Sequence, residues 1–184
     1  MEIILMRHGK PCLNGRPKVS PFEMKAWFEQ YNQAGIGDDL PPDTGRKLAS
    51  RASCIIASPA PRALASVRAL GYEPNVIDAM FCEADLPVTH WRGPALSPFC
   101  WSFIFRLAWL CGYSRDVESK EKAGRRAKIA ANRLISYAES GSVLLLGHGM
   151  FNHLIATRLK QEGWSEERNQ GNGYWRAAIY KRDK

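Results

Sequence analysis

Three places in the sequence put anion-binding or nucleophilic side chains directly after a short apolar run. Ile3-Ile4-Leu5-Met6 leads into Arg7-His8-Gly9, and Val143-Leu144-Leu145-Leu146 leads into Gly147-His148-Gly149. Between them, Cys54-Ile55-Ile56-Ala57 leads into Ser58-Pro59-Ala60-Pro61-Arg62. Short apolar runs bounded by turn residues read as buried strands, and in α/β sheets ligands bind beyond the carboxyl ends of the strands. Gly9 and Gly149 flank the two histidines, and a residue without a β-carbon lets the backbone approach a ligand closely. Ser58 and Arg62 fall at the start of a helix, where free N–H groups and the helix dipole favour an anion. A single histidine after a strand is most often a hydrogen-bonded structural residue, and a single arginine in a first helical turn is usually solvated. Two imidazoles and two guanidiniums at three strand ends predict one crevice built for an anion.

The elements that must position these groups alternate between strand and helix. Residues 2–6, 54–57, 75–77, 143–146 and 174–180 are predicted strands. Ser20-Pro21-Phe22-Glu23 has the form of a capping box with Pro at N1, opening a helix to about residue 34. A Gly/Pro/Asp-rich loop over 35–44 precedes a short helix at about 45–51. Further helices are predicted from 59 to about 70, stopped by Gly71, over 117–139, and over 152–162. In the longest one Ala123, Ala127, Ala130, Leu134 and Tyr137 recur at intervals of four and three, the spacing of one buried face. This alternation predicts an α/β fold with a sheet covered on both faces.

The chain has 184 residues, 45% hydrophobic and 24% charged, which disfavours disorder and coiled coil and allows a sizeable core in one domain spanning 1–184. Five cysteines, odd in number and without CxxC spacing, read as reduced thiols in a cytoplasmic protein, neither a disulfide frame nor a zinc site. The apolar start has no basic n-region, so no signal peptide is expected. Lys and Arg total 26 against 18 acids, a net charge of +8. No nucleic-acid module accompanies that surplus, so a small anionic partner is the expectation and nucleic acid is not. Residues 95–113 approach membrane-spanning length, but Pro98, Ser102, Arg106 and Gly112 interrupt them, and a central Arg is costly in a bilayer. No membrane span is expected. The segment, within an insertion at about 86–117, is predicted to be a hydrophobic helix that is buried, caps a pocket, or joins two copies as a homodimer.

Taken together, Arg7-His8-Gly9, Ser58…Arg62-Ala63 and Gly147-His148-Gly149 resemble the histidine phosphatase superfamily, whose members are phosphoglycerate mutase-like, and the resemblance covers essentially the whole chain. Asn14, Thr44-Gly45-Arg46 and Ser66, which stands where the family often has Thr, are secondary matches. The resemblance implies a three-layer α/β/α sandwich with a central, mostly parallel sheet. It also implies roles: His8 as nucleophile forming a phosphohistidine, Arg7 and Arg62 as forked donors to phosphoryl oxygens, and His148 stabilising charge as it develops. Asn14, Ser58, Gly9 and Gly149 would help hold the substrate. No metal or other cofactor is required in that scheme. The family's acid follows the third strand, where Glu83-Ala84-Asp85-Leu86-Pro87 lies; Glu83 is assigned as general acid, with Asp85 the competitor because the residues that usually follow the acid are missing. Lys10 replaces an acid often found after the first Arg-His-Gly and adds positive charge at the mouth. His90 and His153 read as loop and helix-surface residues. The implied activity is a phosphatase acting on a phosphomonoester or phosphoprotein, a hydrolase of the histidine acid phosphatase type. A phosphoglycerate mutase-type phosphoryl transferase and a non-catalytic phosphate-binding or scaffold module are the alternatives.

Overall fold

The structure is a computed structural model, and it describes residues 1–13, 18–89, 91, 93–171 and 173–183. A six-stranded sheet forms the centre. Its strands are β1 (Glu2–Arg7), β2 (Cys54–Ala57), β3 (Val76–Ile77), β4 (Val143–Gly147), β5 (Ser165–Asn169) and β6 (Ala177–Lys181), in the spatial order β3-β2-β4-β1-β6-β5. The first four neighbours run parallel, and β6 and β5 are added antiparallel at one edge. The mostly parallel sheet expected from the sequence is therefore present.

Side chains along a strand alternate between faces, and here both faces are buried. Ile3 and Leu5 of β1, Ile56 of β2, and Val143 and Leu145 of β4 enter one core. Ile4 and Met6, Ile55 and Ala57, and Leu144 and Leu146 enter the other. Helices α5 (Lys120–Ala138) and α6 (Gly149–Gln161) cover the first face, with Ala123, Ala127, Ala130 and Leu134 of α5 fully buried. Helices α2 (Asp43–Ala49) and α3 (Pro61–Ala69) contribute Leu48, Ala49 and Val67 to the second core. The three-layer arrangement follows from this division.

Two further helices stand beyond the carboxyl ends of the strands. A capping box on Ser20 and Glu23 closes a 3₁₀ turn that runs into α1 (Met24–Gln33). Helix α4 (Pro98–Leu110) packs Trp101 and Phe105 against Met24 and Trp27 of α1, with Trp101 and Phe105 stacked at 5.7 Å. Among the described residues no helix is long and apolar enough to cross a membrane.

Several boundaries differ from expectation, each for a local reason. Strand β5 (Ser-Glu-Glu-Arg-Asn) was not foreseen: every residue is exposed at the sheet edge, so it has no apolar alternation. The last strand begins at Ala177 and not at 174, because Trp175 takes a left-handed φ of 59° in the turn before it. Helix α3 begins at Pro61 and not at 59, since Ala60 before the proline is held extended. Helix α5 begins at Lys120, after Ser119, whose hydroxyl accepts from Lys122 N. Helix α6 begins at Gly149, three residues earlier than expected, and this shift matters for the acid discussed below.

Candidate active site

Register brings the three strand ends together. Arg7 pairs with Gly147 across β1 and β4, and Ala57 pairs with Leu146 across β2 and β4. The residues that follow, His8, His148 and Ser58, are therefore neighbours at one edge of the sheet. The ring centroids of His8 and His148 lie 5.2 Å apart, and the two residues are 2% and 1% exposed.

His8 Nδ1 lies 2.7 Å from the carbonyl of Gly9. A carbonyl only accepts, so Nδ1 carries the proton and Nε2 keeps its lone pair. Burial is the main reason that the His8 pKa is lowered to about 3; the bond to Gly9 opposes the shift, and Arg62 and Arg7 add to it. His148 is also held well below the usual imidazole range, first by burial and then by Arg62, His8, Arg7 and Arg126. Both rings are neutral at neutral pH.

Ser58 does not line the cavity described below. It is fully buried, and its hydroxyl is 2.7 Å from His148 Nε2, so its contact is with the second imidazole. With the serine donating to Nε2, the N–H of His148 lies on Nδ1, which is buried and has no partner among the described residues. Gly9 is likewise behind the surface: a β-carbon there would come within 2.5 Å of the Trp175 ring, and Gly9 N donates to Ser66 Oγ at 2.8 Å. Ser66 in turn donates to Arg62 O at 2.6 Å. Gly147 is required too, because a β-carbon would collide with the side chain of Asn152, which donates to Met6 O.

The two arginines are arranged in parallel. Arg7 stacks on Tyr174 with Cζ 4.3 Å from the ring centroid, and Arg62 stacks on Tyr31 at 4.8 Å. Arg62 Nη1 donates to Tyr31 O and Asn32 Oδ1 at 3.3 and 3.4 Å, whereas its buried Nε has no partner among the described residues. Burial chiefly raises the Tyr31 pKa to about 12, and the neighbouring Tyr174 adds to the shift. Tyr174 also packs on His8 at 5.7 Å. Tyr174 and Tyr31 also line a cavity of ≈ 910 Å³, together with Arg7, Arg62, Glu83 and Gly149, whereas His8 and His148 lie behind its wall.

Glu83 reaches this cavity across the early start of α6. Its two carboxylate oxygens accept from Phe151 N at 2.8 Å and Met150 N at 3.1 Å, donors that a helix leaves free in its first turn. The backbone leading to Glu83 is clamped by Arg126, whose Nη1 donates to Met80 O and Cys82 O while the rest of the guanidinium pairs bidentately with Glu118. Asp85 also lines the cavity, but it is exposed.

No protein-family model and no curated protein matches the sequence. Solved structures do match. The product of Mycobacterium tuberculosis open reading frame Rv3214 aligns with TM-score 0.58 and 20% identity, covering 87% of this chain and 80% of its own. The mycobacterial glucosyl-3-phosphoglycerate phosphatase Rv2419c aligns at 0.56 and 16%, covering 87% and 82%. A phosphoserine phosphatase from Entamoeba histolytica aligns at 0.56 and 14%, covering 97% and 89%. These neighbours are histidine phosphatase superfamily members. The chain has the histidine phosphatase fold.

Within this fold Arg7, His8, Arg62, His148 and Glu83 meet at the carboxyl edge of the parallel strands, and Gly149 lies on the cavity wall. Asn14 and His90 lie outside the described residues. His153 is exposed at the cavity rim. Sequence reasoning missed Tyr31, Tyr174 and the Arg126 clamp. Tyr31 carried one usable signal: it follows Trp27 by one helical turn, and the two rings stack at 5.2 Å. Among the described residues no group of three or more His, Cys, Asp or Glu is placed to hold a metal ion.

Proposed function

We propose that this chain is a metal-independent phosphatase that cleaves a phosphomonoester through a phosphohistidine on His8. The observation that carries the reading is a buried, neutral imidazole with its Nδ1 fixed on Gly9 O, beside two arginines and a second buried imidazole. Such a ring presents Nε2 as a nucleophile in one orientation. Arg62 Nε and, with Ser58 donating to the other ring nitrogen, His148 Nδ1 are buried donors with no partner among the described residues, and phosphoryl oxygens would satisfy both. Donors already fixed where charge develops are the main resource for phosphoryl transfer.

In the first step His8 Nε2 attacks phosphorus. The P–N bond forms, the P–O bond breaks, and its electron pair leaves on the alcohol oxygen, which takes a proton from Glu83. The imidazole becomes cationic, and its Nδ1–H bond to Gly9 O stabilises that charge. In the second step water attacks phosphorus and gives its proton to Glu83, and the P–N electron pair returns to Nε2. The phosphatases among the structural neighbours support this class of reaction.

Hydrolysis of p-nitrophenyl phosphate in EDTA tests the proposal, with His8→Ala as the comparison. Turnover by the wild type, none by the variant, and an acid-labile phosphoryl group recovered on the His8 peptide are expected. No isomer of phosphoglycerate is expected as a product on the same reading. Near-wild-type turnover by His8→Ala refutes the mechanism.

A further inference from the structure

We infer that the alcohol released at this site is large and apolar, so that the substrate is a phosphate monoester of a lipid-like alcohol and not of a sugar or amino acid. The inference rests on the phosphatase reading above and concerns only what lies on the far side of the scissile oxygen. A cavity of ≈ 910 Å³ is near the top of the usual range for ligand pockets, roughly 300–1,000 Å³, and far exceeds what a phosphoryl group needs.

Polarity changes with depth. Arg7, Arg62 and Glu83 gather at the strand ends, and the charged rim residues Lys25, Glu29 and Asp85 are exposed to solvent. The rest of the wall is apolar: Trp27 is buried, Phe28, Leu86 and Val88 are half-buried, and Phe99 and Phe103 stand exposed at the mouth. Several of the polar groups beside this wall are already engaged within the protein. Ser102 Oγ donates to Pro98 O, and Asn32, itself exposed, accepts from Arg62. Arg106 donates through Nη2 to Ala84 O, and Glu83 and Asp85 balance its charge; only its buried Nη1 has no partner among the described residues. A polyhydroxylated or zwitterionic alcohol would leave several polar groups desolvated without partners here, and each such group is costly to bury. An alkyl or isoprenoid chain carries no polar group of its own to desolvate.

The apolar surface also continues past the mouth. Phe99 and Phe103 line the cavity and yet are 55% and 65% exposed, and Leu107, the next residue at four-residue spacing on α4, is 47% exposed. An exposed apolar row of this kind would continue to shed water along a chain that outgrows the cavity.

The test is kcat/KM for ethyl, butyl, hexyl and octyl phosphate, each below its aggregation threshold, with glucose 6-phosphate for comparison. Leaving-group basicity barely changes along the alkyl series, so the series reads burial. A gain of about threefold per buried methylene is expected, giving on the order of a hundredfold or more from ethyl to octyl, with hexyl phosphate well ahead of glucose 6-phosphate. Phe103→Asp, a change at a solvent-exposed position, is expected to lower the octyl-to-ethyl ratio about tenfold. A flat series, a preference for glucose 6-phosphate, or an unchanged ratio in Phe103→Asp overturns the inference. Titration with ethyl- and octylphosphonate separates the two claims. If no phosphate ester is hydrolysed but octylphosphonate binds far more tightly, the phosphatase reading fails and this one stands. Equal affinity for the two phosphonates, with hydrolysis intact, defeats only this one.

Discussion

Ser66→Ala tests whether the nucleophile and its arginine are held by a shared hydroxyl. Ser66 is fully buried in α3; it accepts from Gly9 N at 2.8 Å and donates to Arg62 O at 2.6 Å. Gly9 is also the residue whose carbonyl fixes His8 Nδ1. Alanine removes the only acceptor for the buried Gly9 N–H among the described residues. An unsatisfied buried donor costs about 1–3 kcal/mol, and a chain of this size loses roughly 2–4 °C in Tm per kcal/mol. A fall of several degrees is therefore expected in thermal unfolding. The freed Gly9 peptide lets the imidazole drift, and a misplacement near 1 Å costs up to about a hundredfold in rate. Steady-state kinetics should show kcat reduced by roughly ten- to a hundredfold, with KM changed less. Ser66→Thr keeps the oxygen and is expected to keep most of the rate. If Ser66→Ala unfolds within about 0.5 kcal/mol of wild type, the range of ordinary surface changes, and keeps its kcat, the link is not holding the site.

Glu83→Gln is expected to slow alkyl phosphate hydrolysis by roughly 10²–10⁴-fold and p-nitrophenyl phosphate hydrolysis far less, because nitrophenolate leaves without a proton; Asp85→Asn, at an exposed position, should do little to either. The reverse pattern would move the acid to Asp85. His8 binds its proton at about pH 3 when folded against an ordinary value of 6.5. The unfolded chain therefore takes up more protons between those limits, and stability present above pH 6.5 is lost as pH falls towards 3, by about 1.4 kcal/mol per unit for this residue alone. Urea denaturation from pH 7 to 4 should show the decline and a shallower one in His8→Gln, whereas identical slopes in the two proteins would contradict the assignment.

What was legible in the sequence depended on whether a residue's place is set locally. β1, β2 and β4 stand out because both faces are buried, which makes them continuous apolar runs, and a residue just beyond such a run has its position fixed by the run. Arg7, His8, Ser58 and His148 were found in that way. β5 escaped because an edge strand of exposed, mostly charged residues carries no period. The start of α6 escaped for a different reason: Glu83, 67 residues from Met150 and 68 from Phe151, supplies the acceptors for its first N–H groups, so the helix begins where a distant side chain caps it. The same holds for the finer parts of the site. Ser58 looked like an anion ligand from its place before a helix, yet its partner is an imidazole 90 residues away. Tyr174 has no local mark of function, because its packing on His8 depends on the turn before β6 bonding to the end of β1. The groups proposed to do chemistry are thus placed by strand ends, whereas the groups that set their protonation, orientation and access come from elements joined only by tertiary packing. A change in substrate would require altering only the walls: α1 and α4 could be rebuilt while the strand ends and Glu83 stayed as they are.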